Sequence, residues 1–392
     1  MKKEFATNLI HKGEQNPDSV SKPKTLPIFM TSVFSFDDVE TLDSVYEGHS
    51  KGYIYSRNGN PVHDVLKEIM CSIDEGEDSQ VFSSGMAAVT MSILSLVKSG
   101  DHIIADNVLY GGTYQFLKNE LSKFNIEVTF INAVEDNMEK YFKPNTKLVY
   151  VETISNPLME IADLPKISKI THLHNAKLIV DNTFATPIIC QPLRLGADIV
   201  VYSATKYLCG HSDITGGIAV SNKELIKNIR NISALYGPMM SPFDGWLLIR
   251  SLRTLEIRMI QHSNNAMKLA NFLENHDKIT NVFYPGLKSS PTNKTAIKNF
   301  SNNLFGGMMS IDVEGGEESA CKLIKSLDSI KFVPSLAGAA TSVSYPVKTS
   351  HRALNDDELA KANISKGLIR ISTGLENIDS IISEFDSALN KI

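Results

Sequence analysis

The sequence predicts an α/β fold: a large domain built on a mostly parallel sheet covered by helices, a smaller C-terminal α+β domain, and an extended N-terminal arm. Three observations carry this. Nearly continuous apolar runs of strand length recur through the middle of the chain, helical stretches separate several of them, and beyond residue 250 fewer, alternating strands replace the pattern. Strands buried on both faces read as unbroken apolar runs, so the first two observations argue for a parallel sheet between helical layers.

Through residue 59 the chain reads as an arm. Pro17, Pro23 and Pro27 sit among polar residues, with little sustained periodicity until Thr41. Such arms often reach across a neighbouring subunit. From 61 to 74, Val62, Val65, Leu66 and Ile69 form a helical stripe opened by Pro61. A second apolar helix over 84–97 is entered through Ser83-Ser84-Gly85. Strands are expected at 102–105, 128–131, 148–151, 178–180 and 199–202, with helices at 113–124 and 164–174. A long helix over 252–273 could join two domains. Strands at 282–284, 307–313, 332–336 and 368–373 and helices at 317–326 and 378–389 complete the chain. The resulting partition is an arm (1–59), a large domain (60–250) and a C-terminal domain (251–392).

Composition narrows the function. With 42% hydrophobic and 21% charged residues, the 392-residue chain is too apolar for disorder. Its 39 basic and 44 acidic residues are interspersed, without the basic stripe of a nucleic-acid binder. No apolar run approaches the ~20 residues that cross a bilayer. The start, Met1-Lys2-Lys3-Glu4-Phe5, leads into no apolar signal core. A soluble, cytoplasmic protein with no nucleic-acid or membrane partner is expected. Cys71, Cys190, Cys209 and Cys321 lie far apart without a CxxC pair, so neither a disulfide framework nor a metal site is expected.

Ligands of doubly wound sheets bind outside the carboxyl ends of the strands. There the sequence is polar and specific. The strand at 178–180 runs into Asp181-Asn182-Thr183, that at 199–202 into Ser203-Ala204-Thr205-Lys206, and that at 148–151 into Glu152-Thr153-Ile154-Ser155-Asn156-Pro157. The helix start at Ser84-Gly85-Met86 offers free N–H groups to an anion. One ligand would explain the set. Ser203, Thr205 and the Gly85 and Met86 amides could hold a phosphate, Lys206 could form an imine, and Asp181 could hold a protonated ring nitrogen. That ligand is pyridoxal 5'-phosphate, whose recurrent partners are a lysine and an acid on the pyridinium. Each residue taken singly is more often a cap or a loop residue; the joint occurrence carries the reading.

Ser203-Ala204-Thr205-Lys206-Tyr207, with Gly210-His211-Ser212-Asp213 and Gly216-Gly217, resembles the lysine signature of the Cys/Met-metabolism family of pyridoxal-phosphate enzymes. That family includes cystathionine γ-lyases, cystathionine γ-synthases and methionine γ-lyases. Matching stretches run nearly the whole chain: Tyr55-Ser56-Arg57, Ser83-Ser84-Gly85-Met86-Ala87, Tyr110-Gly111-Gly112-Thr113, Ser155-Asn156-Pro157, Asp181-Asn182-Thr183-Phe184, Ser335-Leu336 and Gly367-Leu368-Ile369-Arg370. The resemblance implies the type I pyridoxal-phosphate transferase fold and a set of roles. Lys206 would hold the cofactor and move protons, Asp181 would pair with its ring nitrogen, and Tyr110 would stack on the ring and act as acid or base. Ser84, Gly85, Met86, Ser203 and Thr205 would bind the phosphate, and Tyr55 and Arg57 would reach that of a neighbouring subunit. Asn156, Ser335 and Arg370 would bind the substrate α-carboxylate. A homodimeric active unit, usually within a homotetramer, is implied.

The implied reaction is loss or replacement of a group at Cγ or Cβ of an amino acid. Gly112 stands where typical methionine γ-lyases carry Cys, and Ala340 where many cystathionine-using relatives carry Glu. We favour a carbon–sulfur γ-lyase acting on methionine, homocysteine or cystathionine. The alternatives are a γ-replacement transferase using an O-acylated homoserine, and a catalytically silent relative that binds the cofactor or a partner.

Overall fold

Alternate residues of the central strands pack to opposite sides of one sheet. Val149, Val151, Leu178, Val180 and Val200 belong to one apolar cluster, while Leu148, Tyr150, Ile179, Ile199 and Val201 belong to another. Both sets are buried, which explains why these strands read as unbroken apolar runs. The computed structural model describes residues 23–350, 352 and 355–392; the first part of the expected arm, residues 1–22, lies outside them.

The sheet contains β1 (Asp78–Phe82), β2 (His102–Asp106), β3 (Glu127–Ile131), β4 (Thr146–Glu152), β5 (Lys177–Asp181), β6 (Ile199–Ser203) and β7 (Gly217–Ser221), in the order β1-β7-β6-β5-β4-β2-β3. The five expected strands are β2 to β6, and their pairings with one another are parallel. Two strands of this sheet were not expected. β7 lies antiparallel between β1 and β6, behind a Gly216-Gly217 pair that reads as a turn. β1 is half polar, yet its Ser79 is buried, with Oγ donating to the Lys67 carbonyl.

A second sheet of β8 (Ile279–Phe283), β9 (Met308–Val313), β10 (Lys331–Phe332), β11 (Ser342–Ser344) and β12 (Leu368–Ser372) has the order β10-β11-β12-β9-β8. The strand expected at 332–336 shrinks to β10, because the chain leaves the sheet at Val333 and carries Ser335 elsewhere. The helix expected over 252–273 is found at Leu255–Glu274, and a separate helix, Pro242–Leu252, ends just before it. Buried Arg258 fills the break, donating from Nη2 to the Ser251 carbonyl and from Nη1 to the Tyr207 carbonyl. The helix expected at 113–124 is α-helical only over Gly111–Gln115, then widens to a π turn and tightens to a 3₁₀ turn.

The described part of the arm is not wholly extended. A helix at Val39–Tyr46 starts at Asp38, whose side chain accepts from the Thr41 amide, and none of its residues is buried. Phe34 and Ser56 then pair with Ile54 and Ser32 through backbone hydrogen bonds. Among the described residues no helix is long and apolar enough to cross a membrane, and no cluster of metal-ligating side chains occurs.

Candidate active site

The carboxyl ends of β4, β5 and β6 converge on one cavity of about 630 Å³. Asp181 closes β5 opposite Glu152 of β4 in register. Its Oδ1 accepts from the Thr183 amide (3.0 Å) and the Thr183 hydroxyl (2.5 Å), and its Oδ2 from the Tyr150 hydroxyl (3.3 Å). Burial pushes the Asp181 carboxyl above its ordinary range while these donors pull it down. Glu152 is buried beside it, with Oε1 accepting from the Tyr110 amide at 2.6 Å.

The other end of the cavity is built for an anion. Ser84 begins the Gly85–Leu94 helix by accepting from the Ala87 amide, and the first-turn residues Gly85 and Met86 line the cavity. Two glycines let this helix start seat against the sheet. A Cβ on Gly85 would lie 2.6 Å from Ser203 Cβ, and one on Gly217 would lie 2.1 Å from the Ser84 carbonyl oxygen. Ser203 and Thr205 face the same space. The Thr205 hydroxyl is held by the Gly216 amide at 3.1 Å, and the Ser203 amide donates to Thr183 Oγ1 at 2.8 Å, linking this end to the Asp181 end.

Lys206 also lines the cavity, and its Nζ donates to Ser335 Oγ at 3.3 Å. Burial, then the positive charge of Arg370, lowers the affinity of its amine for a proton, which raises the share of free base. Arg370 comes from β12 of the second sheet. It is buried, its Nη1 donates to Asn156 Oδ1 at 2.8 Å, and burial lowers its pKa to about 10. Ser310 of β9 donates to the Pro157 carbonyl at 2.6 Å, which ties the strand beside Arg370 to the loop that carries Asn156. Tyr110 stands at the rim, half exposed.

The cavity thus brings together Ser84, Gly85, Met86, Tyr110, Asn156, Asp181, Ser203, Thr205, Lys206, Ser335 and Arg370. It does not include Tyr55 or Arg57. These lie at the surface, with the guanidinium 5.6 Å from the Tyr55 ring centroid and Nη1 donating to the Ala234 carbonyl. Ala340 is exposed and does not line the cavity, whereas Gly112 packs under Tyr110. Sequence reasoning assigned no role to Glu152, Thr183 or Tyr150. The strand-end position of Glu152 and the place of Thr183 two residues after Asp181 were the available signals.

These residues fit pyridoxal phosphate on structural grounds. A helix start with a glycine contact and two hydroxyls suits a phosphate, a buried carboxylate suits a pyridinium, and an amine whose hold on its proton is weakened suits an aldehyde.

Comparison with known proteins gives the same direction. Residues 6–390 match the family described as Cys/Met metabolism PLP-dependent enzymes. The chain is 41% identical over 393 residues to the L-methionine gamma-lyase of Treponema denticola, covering 99% of this chain and 97% of the relative. It is 37% identical over 388 residues to the cystathionine gamma-lyase of Bacillus subtilis, covering 98% and 99%. A Campylobacter jejuni crystal structure containing N'-pyridoxyl-lysine-5'-monophosphate superposes with a TM-score of 0.88 at 31% identity, covering 93% of this chain and 95% of that one.

Proposed function

The chain belongs to the Cys/Met metabolism PLP-dependent enzymes, and from that premise we propose that it is a carbon–sulfur γ-lyase. It would convert a sulfur amino acid (methionine, homocysteine or cystathionine) to an α-keto acid, ammonia and a thiol. The observation that carries the reading is the meeting of Lys206, Asp181 and Arg370 in one cavity beside a helix start.

Pyridoxal phosphate, when bound, supplies an electron sink for the negative charge that develops at the substrate Cα. The chain's own groups do the rest. Asp181 holds the ring nitrogen in its protonated form. Ser203 and Thr205, with the Gly85 and Met86 amides, anchor the phosphate. Arg370, oriented by Asn156, takes the α-carboxylate through its planar guanidinium. Ser335 steadies Lys206 Nζ, which as free base takes the proton at Cα and hands it to a neighbouring carbon, so that the same amine is free again to take one at Cβ. Tyr110 stacks on the ring at the rim, and its phenol serves as acid or base near the departing sulfur.

Tyr55 and Arg57 lie on the protomer surface, where they are available to the phosphate of a second subunit. We therefore include in the proposal a homodimeric active unit within a tetramer. The partition at residues 59 and 250 and a cytoplasmic setting belong to it as well; all four cysteines are free thiols.

The test is a product assay with methionine, cystathionine, homocysteine and O-acetylhomoserine. An α-keto acid together with a thiol from one of the first three supports the lyase. Consumption of O-acetylhomoserine without keto acid, and only when cysteine or sulfide is added, would replace it with the γ-replacement transferase.

A further inference from the structure

Building on that reading, we propose that Glu152 is a positioning residue that works as a neutral acid. It fixes the backbone of Tyr110 and keeps the proton of the Glu152–Asp181 pair, so that the negative charge rests on Asp181.

The geometry sets the assignment. Glu152 and Asp181 end adjacent parallel strands in register, and both line the same cavity. The charge on one carboxyl so placed opposes ionisation of the other. Asp181 accepts from three donors, the Thr183 amide and hydroxyl and the Tyr150 hydroxyl. Glu152 accepts from one, the Tyr110 amide. Hydrogen bonds to the charged form select where the charge settles, and three outweigh one. The surroundings act in the same sense. Asp106, at the end of β2, is a third buried carboxyl on the Glu152 side, itself pushed to about 7 by burial. Burial, followed by the charge of Asp181, holds the Glu152 carboxyl well above its ordinary range. The cationic groups lining the cavity are Lys206, Arg370, Lys348 and Arg352.

The second half of the role concerns Tyr110. It begins the five-residue helix Gly111–Gln115, which has no side-chain cap. Two glycines follow it, and its ring is half exposed. The bond from its amide to Glu152 Oε1, at 2.6 Å, joins this stretch to the sheet from 42 residues away in sequence. A neutral glutamic acid accepts that bond through its carbonyl oxygen as well as a carboxylate does.

The test compares E152Q, which keeps a neutral acceptor, with E152A, which removes it. In cofactor-free protein, amide exchange at Tyr110 should speed up roughly tenfold in E152A, and E152Q should return it toward wild type. Affinity for pyridoxal phosphate and kcat should fall in E152A, and E152Q should recover most of both losses. Equal damage in E152Q and E152A would show that an ionised Glu152 is required and overturn the neutral-acid assignment. Unchanged Tyr110 exchange in E152A would overturn the positioning role. A wild-type protein with no cofactor absorbance and no keto acid would instead sink the functional reading, while the exchange result would still judge the contact.

Discussion

Gly85→Ala probes the anion cradle through a single methyl group. On the existing backbone the new Cβ would lie 2.6 Å from Ser203 Cβ, 2.7 Å from Ser203 Oγ and 2.9 Å from Ser203 Cα. Carbon atoms rest about 3.5–4.0 Å apart, so the overlap is on the order of 1 Å. A rotamer change relieves the contact with Oγ but not those with Cβ and Cα, which are fixed to strand β6. The helix start must therefore back away, taking the Gly85 and Met86 amides with it. Overpacking of this kind costs about 1–3 kcal/mol, and each hydrogen bond lost to a charged phosphate adds about 1.5–3 kcal/mol. Weakening confined to the bound state raises the Kd for pyridoxal phosphate by roughly 10- to 100-fold. The assay is titration of cofactor-free protein with pyridoxal phosphate, followed by absorbance, with circular dichroism confirming that the variant folds. A folded variant that binds the cofactor as tightly as wild type would refute the cradle.

Two further outcomes follow from buried charges. Burial pushes the Asp74 carboxyl from 3.8 to about 7, with Oδ1 accepting from the Tyr202 hydroxyl at 2.7 Å and Oδ2 unpartnered. The folded state holds this proton more tightly than the unfolded chain, so its contribution to stability is complete below pH ~4 and is lost as pH rises through ~7. Asp74→Asn removes that dependence, and denaturant midpoints should show the variant gaining on wild type by up to about 4 kcal/mol between acidic and mildly alkaline pH. A difference that does not change with pH would contradict this. Arg370→Lys replaces a planar two-pronged donor with a point charge at a buried site, and kcat/KM should fall on the order of 100-fold, with the loss largely in KM. An unchanged KM would place the substrate carboxylate elsewhere.

Much of the site was legible because each polar residue follows an apolar run. Asp181 and Lys206 come directly after strands whose unbroken hydrophobicity marks them as central, and strand ends are where such sheets bind ligands. Arg370 was visible only through family resemblance: it lies inside a strand of the second sheet and reaches Asn156 across 214 residues of sequence. β1 escaped notice because Asp78, Ser79 and Gln80 read as a loop, although Ser79 is buried and bonded. β7 was concealed by Gly217, whose lack of a side chain is needed for the approach of Ser84. The contact of Glu152 with Tyr110 depends on a loop arriving from another strand, which no local spacing records.

Chemical trapping of the cofactor addresses the central claim most directly. Borohydride reduction of the purified holoenzyme, followed by digestion and mass spectrometry, should find a pyridoxyl group on Lys206 Nζ, and K206A should lose both that adduct and α-keto acid release. A pyridoxyl group on a different lysine, or undiminished keto acid release from K206A, would contradict the account.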